Sequence, residues 1–169
     1  FYPELLQENI LFNLRHGVRG EFSEASYYSG GGDQYVHKCD FALPGLTHLN
    51  NYVRAQLLWK PDLNLKALLE EYYTMFYGPS AAEMRMFWET ARDLYMAKCE
   101  PHPLNQYTKD DILKLYGLLD QASRKAGGKT PYSDRIALIH SEMDPFLKPL
   151  LTELSYTRIF SVPTVKEKI

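Results

Sequence analysis

Cysteine is scarce in this sequence, and long apolar runs are absent. Only Cys39 and Cys99 occur among the 169 residues, which is too few for a disulfide-based scaffold. They are either one bonded pair or two buried thiols. No run of about 18 apolar residues is present, so no membrane-spanning helix is predicted.

A surplus of positive charge and several catalytic motifs are also lacking. Nineteen basic residues against 21 acidic ones give a formal charge of -2, so nucleic acid is not expected as a partner. No Cys-x-x-Cys, His-Glu-x-x-His, Gly-x-Ser-x-Gly or P-loop spacing occurs, and neither a metal nor another cofactor is predicted. The metal-ligand types that do cluster are His37, Cys39, Asp40 and His48.

The sequence has the composition of a globular protein, with 45% hydrophobic and 24% charged residues. Its apolar residues recur mostly at helical spacing. Apolar spacing and end signals predict helices over residues 3–16, 44–59, 64–77 and 80–95, one from residue 108 to Gly127, and one beginning at Pro131. A short strand is predicted over 17–22, before a loop rich in Gly, Ser and Tyr over 23–44. Pro145 and Pro149 are expected to kink or interrupt the last helix.

The fold class predicted from this order is mainly α: an irregular helical bundle preceded by a helix-strand remnant of a (β/α)8 barrel. We expect residues 1–43 to be the last barrel unit with a polar loop, and 44–169 to form a helical domain. A lone strand cannot satisfy its own backbone groups, so its partners are expected to lie outside this chain. Ser80 is predicted to begin a capping box with Glu83, and Trp59 and Trp88 are predicted to be buried against the bundle.

Two carboxylates lie where a barrel enzyme places its active site, at the end of the predicted strand. Glu21 and Glu24 are candidate catalytic groups, because glycosidases act through a pair of carboxyl groups. The alternative, which is the usual situation for Glu, is that both are solvated surface residues, and Arg19 could be either a substrate contact or the structural partner of Glu21.

The loop that follows holds candidate sugar contacts. Tyr27, Tyr28 and Tyr35 could cover the apolar face of a pyranose, while Asp33 accepts hydrogen bonds from its hydroxyls. The alternative is that these side chains only cover the barrel end or the bundle. A second aromatic group, on the helix around Tyr72, is expected to be core.

Four blocks of the chain carry a family resemblance. They are NILFNLRHGVRG at 9–20, RAQLLWKPD at 54–62, EEYY at 70–73 and FYGPSA at 76–81. Together with Tyr27, Tyr28 and the glycine run, they resemble a bacterial domain-of-unknown-function family found in large, often secreted polysaccharide-utilisation proteins. In that family an α-glucuronidase-like (β/α)8 barrel precedes a helical region. The family pattern has a Glu directly after the Phe that follows Gly-Val-x-Gly, whereas here Ser23 follows Phe22.

The resemblance implies the C-terminal part of a glycoside hydrolase-like protein acting on plant or host polysaccharide. The implied partners are a carbohydrate and the missing N-terminal part of the same protein. The implied location is secreted, periplasmic or on the cell surface of a bacterium. The alternative is a non-catalytic helical module that binds glycan or a protein partner, or buttresses the barrel. In either case we expect the isolated chain to hydrolyse no glycoside, because one strand end cannot form a closed two-carboxylate pocket.

Overall fold

The computed structural model describes residues 3–21, 44–97 and 107–160, with side chains up to residue 145. This part of the chain is mainly helical, as predicted. It consists of α1 (Pro3–Arg15), α2 (Pro44–Trp59), α3 (Leu65–Tyr77), a 3-10 turn (Gly78–Ser80), α4 (Ala81–Met96), α5 (Lys109–Ala126) and α6 (Pro131–Phe160). None of these helices is long and apolar enough to cross a membrane. The boundary proposed at residue 43 falls within a segment outside the described residues.

The helices pack as an irregular bundle around one apolar core. Consecutive helices α3 to α6 pack against each other in turn, α1 packs on α2, and α6 returns to contact α2 and α3. Each helix contributes an apolar stripe, which is the pattern that the sequence predicts. The largest fully buried side chains are those of Tyr73, Tyr77, Phe87, Leu49, Leu57, Met84, Leu119, Ile136 and Ile139.

The predicted strand is not found. Residues 18–21 follow α1 without regular structure, no strand occurs anywhere in the described part of the chain, and Phe22 lies outside it. The physical reason is the one that the sequence raises: among the described residues, 18–21 have no neighbouring extended segment with which to form ladder hydrogen bonds. The barrel remnant is therefore not shown by this structure.

Most predicted helix ends are confirmed, and one is wrong. Asn64 caps α3 by accepting from the Ala67 N–H at 3.1 Å, and Thr108 forms a complete capping box at the start of α5. Ser80 makes no such cap. Its hydroxyl donates instead to the carbonyl of Ala122 on α5 at 2.7 Å in the core. A tertiary acceptor therefore replaces the local cap.

Two further expectations need correction. The prolines were predicted to kink or interrupt α6; the helix is continuous through Pro145 and Pro149, so the predicted interruption is wrong. Pro145 is exposed, which lets water hydrogen-bond the carbonyl that a proline leaves without a helical donor. Trp88 is buried as predicted, but Trp59 is 91% exposed because it is the last residue of α2 and lies beyond the stripe formed by Leu49, Val53 and Leu57.

Candidate functional site

The candidate site is a cavity of about 310 Å³ between the end of α1, the segment after it and the end of α2. A volume of this size is at the lower end for small-molecule sites. Its lining is mixed, with apolar side chains from both helices and charged side chains from the segment between. The lining residues are Ile10, Asn13, Leu14, Val18, Arg19, Gly20, Glu21, Leu58 and Pro61.

The end of α1 sets the direction of the segment that carries the charged residues. Gly17 has a φ of 87°, in the left-handed region that favours glycine. Its N–H donates to the Leu14 carbonyl at 3.2 Å, and the Val18 N–H donates to the Asn13 carbonyl at 3.0 Å. These two bonds form a Schellman motif, which stops the helix and turns the chain. Arg19 and Glu21 consequently reach the cavity wall.

Glu21 forms an ion pair with Arg54 of α2. The two side chains are 30% and 32% exposed, so the pair is half-buried at the edge of the cavity. A partly desolvated guanidinium holds a carboxylate in a fixed direction, and the carboxylate's remaining lone pairs can accept hydrogen bonds. Arg54 therefore positions Glu21 from behind the cavity wall, and Arg19 is the cation that lines the cavity itself.

Two of the residues predicted to form the site lie in the part of the chain that the structure describes. Arg19 and Glu21 both line the cavity. Glu24 and the predicted sugar contacts Tyr27, Tyr28, Asp33 and Tyr35 lie outside the described residues. The pairing of Glu21 with a second carboxylate therefore stays a prediction.

Sequence reasoning missed Arg54, which is the partner of Glu21 in place of Arg19. The two residues of the pair are 33 positions apart in the sequence, and no local spacing rule connects them. The available signal was that Arg54 begins RAQLLWKPD, one of the blocks that carry the family resemblance. Leu58 and Pro61 of the same block line the cavity, so the first and second blocks meet there.

The described residues contain no group of three His, Cys, Asp or Glu side chains arranged to hold a metal ion. His37, Cys39 and Asp40 lie outside the described part, as does Cys99. His48 has structural contacts instead: its Nδ1 is hydrogen-bonded to the Tyr72 hydroxyl at 3.0 Å, and its ring stacks on Phe76 with centroids 4.5 Å apart. Burial, with Arg135 nearby, lowers the pKa of His48.

Comparison with known families decides the classification. The profile of the family described as Domain of unknown function (DUF4838) matches residues 2–89, more than half of the chain. The chain belongs to the DUF4838 family. A search of curated proteins and a search of solved structures gave no significant match.

The DUF4838 match covers α1, α2, α3 and the first half of α4. It therefore includes every residue that lines the cavity, from Ile10 to Pro61, together with Arg54. Helices α5 and α6 lie beyond the matched region and complete the core that holds α2 and α3 in place.

Proposed function

We propose that this chain is the C-terminal part of a bacterial glycoside hydrolase-like protein, and that the cavity beside Glu21 contributes to its carbohydrate site. The observation that carries the proposal is the cavity itself: a carboxylate and a cation, Glu21 and Arg19, border an apolar-walled space of about 310 Å³. Sugars present both hydroxyls and an apolar face, and such a mixed lining suits them. The α-glucuronidase-like barrel and the secreted, periplasmic or cell-surface location rest on the family resemblance alone.

The role we assign to Glu21 follows from its partner. Glycoside hydrolysis needs one carboxyl group that gives a proton and one carboxylate that attacks the sugar or activates water. A guanidinium paired with a carboxylate fixes its direction and leaves its remaining lone pairs free to face a substrate or a water molecule. With Arg54 as its partner, Glu21 suits the role of nucleophile or base, and the acid must come from another residue. Glu24 or a residue of the missing N-terminal part is the candidate for that acid.

The test uses the longer protein that contains this chain, assayed for release of sugar from aryl glycosides. Glu21→Gln keeps the shape of the side chain but removes its charge, and we expect kcat to fall by about 10²- to 10⁴-fold. Glu71→Gln is the matched control, because Glu71 is an exposed carboxylate of α3 that does not line this cavity. If Glu21→Gln and Glu24→Gln both retained full kcat, the catalytic assignment would be wrong.

A second candidate function is a non-catalytic module that binds glycan or a protein partner, or buttresses the barrel. Trp59 favours it, because this side chain is 91% exposed directly beside Leu58, which lines the cavity. Exposed tryptophans are typical of glycan platforms and of protein interfaces. If this module function is correct, Trp59→Ala will weaken binding of the glycan or of the N-terminal part, while Glu21→Gln will leave kcat unchanged.

A further inference from the structure

We propose that His48 is an acid-sensitive contact between α2 and its neighbours α3 and α6: it joins these helices when neutral and loosens α2 when protonated. The contact lies at a small cavity of about 200 Å³ between the three helices. This cavity shares no lining residue with the one beside Glu21, so the proposal does not depend on the catalytic assignment. The residues that line it are His48, Tyr52, Glu71, Tyr72, Met75, Phe76 and Arg135.

The first observation is the hydrogen bond on one ring nitrogen of His48. The Nδ1 atom lies 3.0 Å from the hydroxyl of Tyr72, a buried side chain of α3. A neutral imidazole can accept the hydrogen of that hydroxyl at Nδ1, whereas the protonated ring has an N–H on both nitrogens and accepts none. Protonation of His48 therefore obliges the buried phenol to find another acceptor, which weakens the link between α2 and α3.

The second observation is a cation held beside the same ring. His48 stacks on Phe76 with the ring centroids 4.5 Å apart, and the Arg135 guanidinium lies over that Phe76 ring at 4.3 Å from its centroid. The Nη1 atom of Arg135 donates to the Phe76 carbonyl at 2.7 Å, in the last turn of α3. Because this bond satisfies a carbonyl at the helix end, Arg135 stays in place and repels a second positive charge on His48.

The other charged groups of the described residues at this junction do not offset that repulsion. Glu71 of α3 lines the same cavity, but its charge acts on Tyr52, whose pKa it helps to raise. Glu142 of α6 directs its two carboxylate oxygens to backbone N–H groups at the start of α2. Partial burial and the charge of Arg135 together lower the pKa of His48, in agreement with the geometry.

The direction of the pH effect follows from that lowered pKa. As the pH falls below the ordinary His value of 6.5, the unfolded chain takes up a proton before folded His48 does, so acidification reduces stability. The contact is complete above pH of about 6.5 and is lost as the pH falls through the lowered pKa. His48 is also exposed to solvent. The proton can therefore bind without global unfolding, and the loosening of α2 is local.

The experiment follows the isotope-labelled 169-residue chain by NMR from about pH 8 to about pH 5, which brackets the ordinary His pKa. The ring signals of His48 give its pKa, and amide hydrogen exchange, corrected for the intrinsic effect of pH, gives the protection of α2. We expect His48 to titrate below pH 6.5. Over the same range the protection of α2 should fall by up to about tenfold per pH unit, which is the limit for linkage to one proton.

Two substitutions at Arg135 separate its charge from its other contacts. Arg135→Gln removes the charge and should raise the pKa of His48, whereas Arg135→Lys keeps the charge and should leave that pKa low. His48→Gln cannot be protonated and should abolish the fall in protection. His16→Gln is the matched control, because His16 is an exposed histidine that does not line this cavity. The proposal is overturned if His48 titrates at or above pH 6.5, if Arg135→Gln leaves its pKa unchanged, or if His48→Gln retains the fall.

Discussion

At the scale of single residues, the two adjacent tyrosines of α3 make opposite contributions to stability. The Tyr72 hydroxyl is hydrogen-bonded to His48 at 3.0 Å, whereas the Tyr73 hydroxyl is buried without a partner among the described residues. We expect Tyr72→Phe to lower the free energy of unfolding by about 1 kcal/mol, and Tyr73→Phe to raise it by a similar amount. Urea denaturation of the sugar-free protein checks both. A loss of stability in Tyr73→Phe would mean that the hydroxyl has a partner after all.

The two tryptophans also differ in what they contribute. Trp88 is buried, donates from Nε1 to the Tyr77 hydroxyl at 3.1 Å and packs edge-on against Phe87. Trp88→Ala should therefore cost about 3–5 kcal/mol of unfolding free energy. Trp59→Ala should change it by less than about 0.5 kcal/mol, because the side chain is exposed. Thermal melts of the two variants check this, and similar melting temperatures would contradict it.

Gly78, in the Phe-Tyr-Gly-Pro block, must be glycine for two reasons: its backbone dihedral angle and the space around it. Its φ is 52°, and an added Cβ would lie 2.7 Å from the Tyr132 ring of α6. We expect Gly78→Ala to destabilise the protein by more than the roughly 1–2 kcal/mol of backbone strain. Gly127→Ala isolates that strain, because Gly127 has a φ of 75° but open space around it. If the two variants lost equal stability in urea denaturation, the contact with Tyr132 would not matter.

At the scale of elements, helix α2 depends on a residue from α6. The carboxylate of Glu142 accepts hydrogen bonds from the backbone N–H groups of Gly45 and Leu46, both at 2.8 Å. It satisfies two donors at the helix start and lies favourably at the positive end of the helix dipole. A side chain at position 45 would lie 3.0 Å from Glu142 Oε2, so glycine permits this close approach.

Removing this interaction should loosen α2. Glu142→Gln replaces one acceptor oxygen with a donor and leaves one buried N–H without a partner, so we expect a loss of about 1–3 kcal/mol in unfolding free energy. Compared with wild type, Glu142→Gln should speed amide hydrogen exchange in the first turn of α2 more than it does in α4. The exposed Glu71→Gln serves as control for the loss of one charge. Equal protection of α2 in both variants would contradict the cap.

Where the sequence predicted the elements well, the information was local. Asn64, Thr108, Gly17 and Gly127 stop or start helices through bonds and dihedral angles within a few residues, so spacing rules find them. Ser80 shows the limit. It has the local pattern of a capping box, yet its hydroxyl bonds a carbonyl 42 residues away. Rules based on local sequence patterns do not take that distant acceptor into account.

The same limit applies to the candidate site. Glu21 was singled out as the end of the predicted strand and Arg19 as its neighbour on that strand; the strand is not found, yet both residues line one cavity. Arg54 was missed because its contact with Glu21 depends on how α2 packs against α1. The strand was predicted from alternation alone, but a strand exists only with a neighbour, which one segment's sequence cannot supply.

At the scale of the whole molecule, buried tyrosines couple stability to alkaline pH. Burial is the main cause that raises the pKa of Tyr77 to about 12, against opposing effects of Trp88 and Tyr72. Burial also raises the pKa values of Tyr72, Tyr73 and Tyr116. In each case the folded protein favours the protonated phenol. The contribution of these groups to stability is complete below pH of about 10, where the unfolded chain is also protonated.

Above that pH the unfolded chain releases phenol protons that the folded protein retains, so the free energy of unfolding must fall as pH rises. For Tyr77 the fall extends from pH of about 10 to about 12 and amounts to roughly 1.4 kcal/mol per pH unit. Urea denaturation at a series of pH values measures this slope, with tyrosinate absorbance as the second signal. Tyr77→Phe should be less stable at neutral pH yet lose stability less steeply above pH of about 10. Phe87→Leu is the control, because it changes the core but removes no titrating group. It should lower the unfolding free energy at every pH and keep the wild-type slope. If Tyr77→Phe also kept the wild-type slope, the Tyr77 phenol would not be coupled to folding.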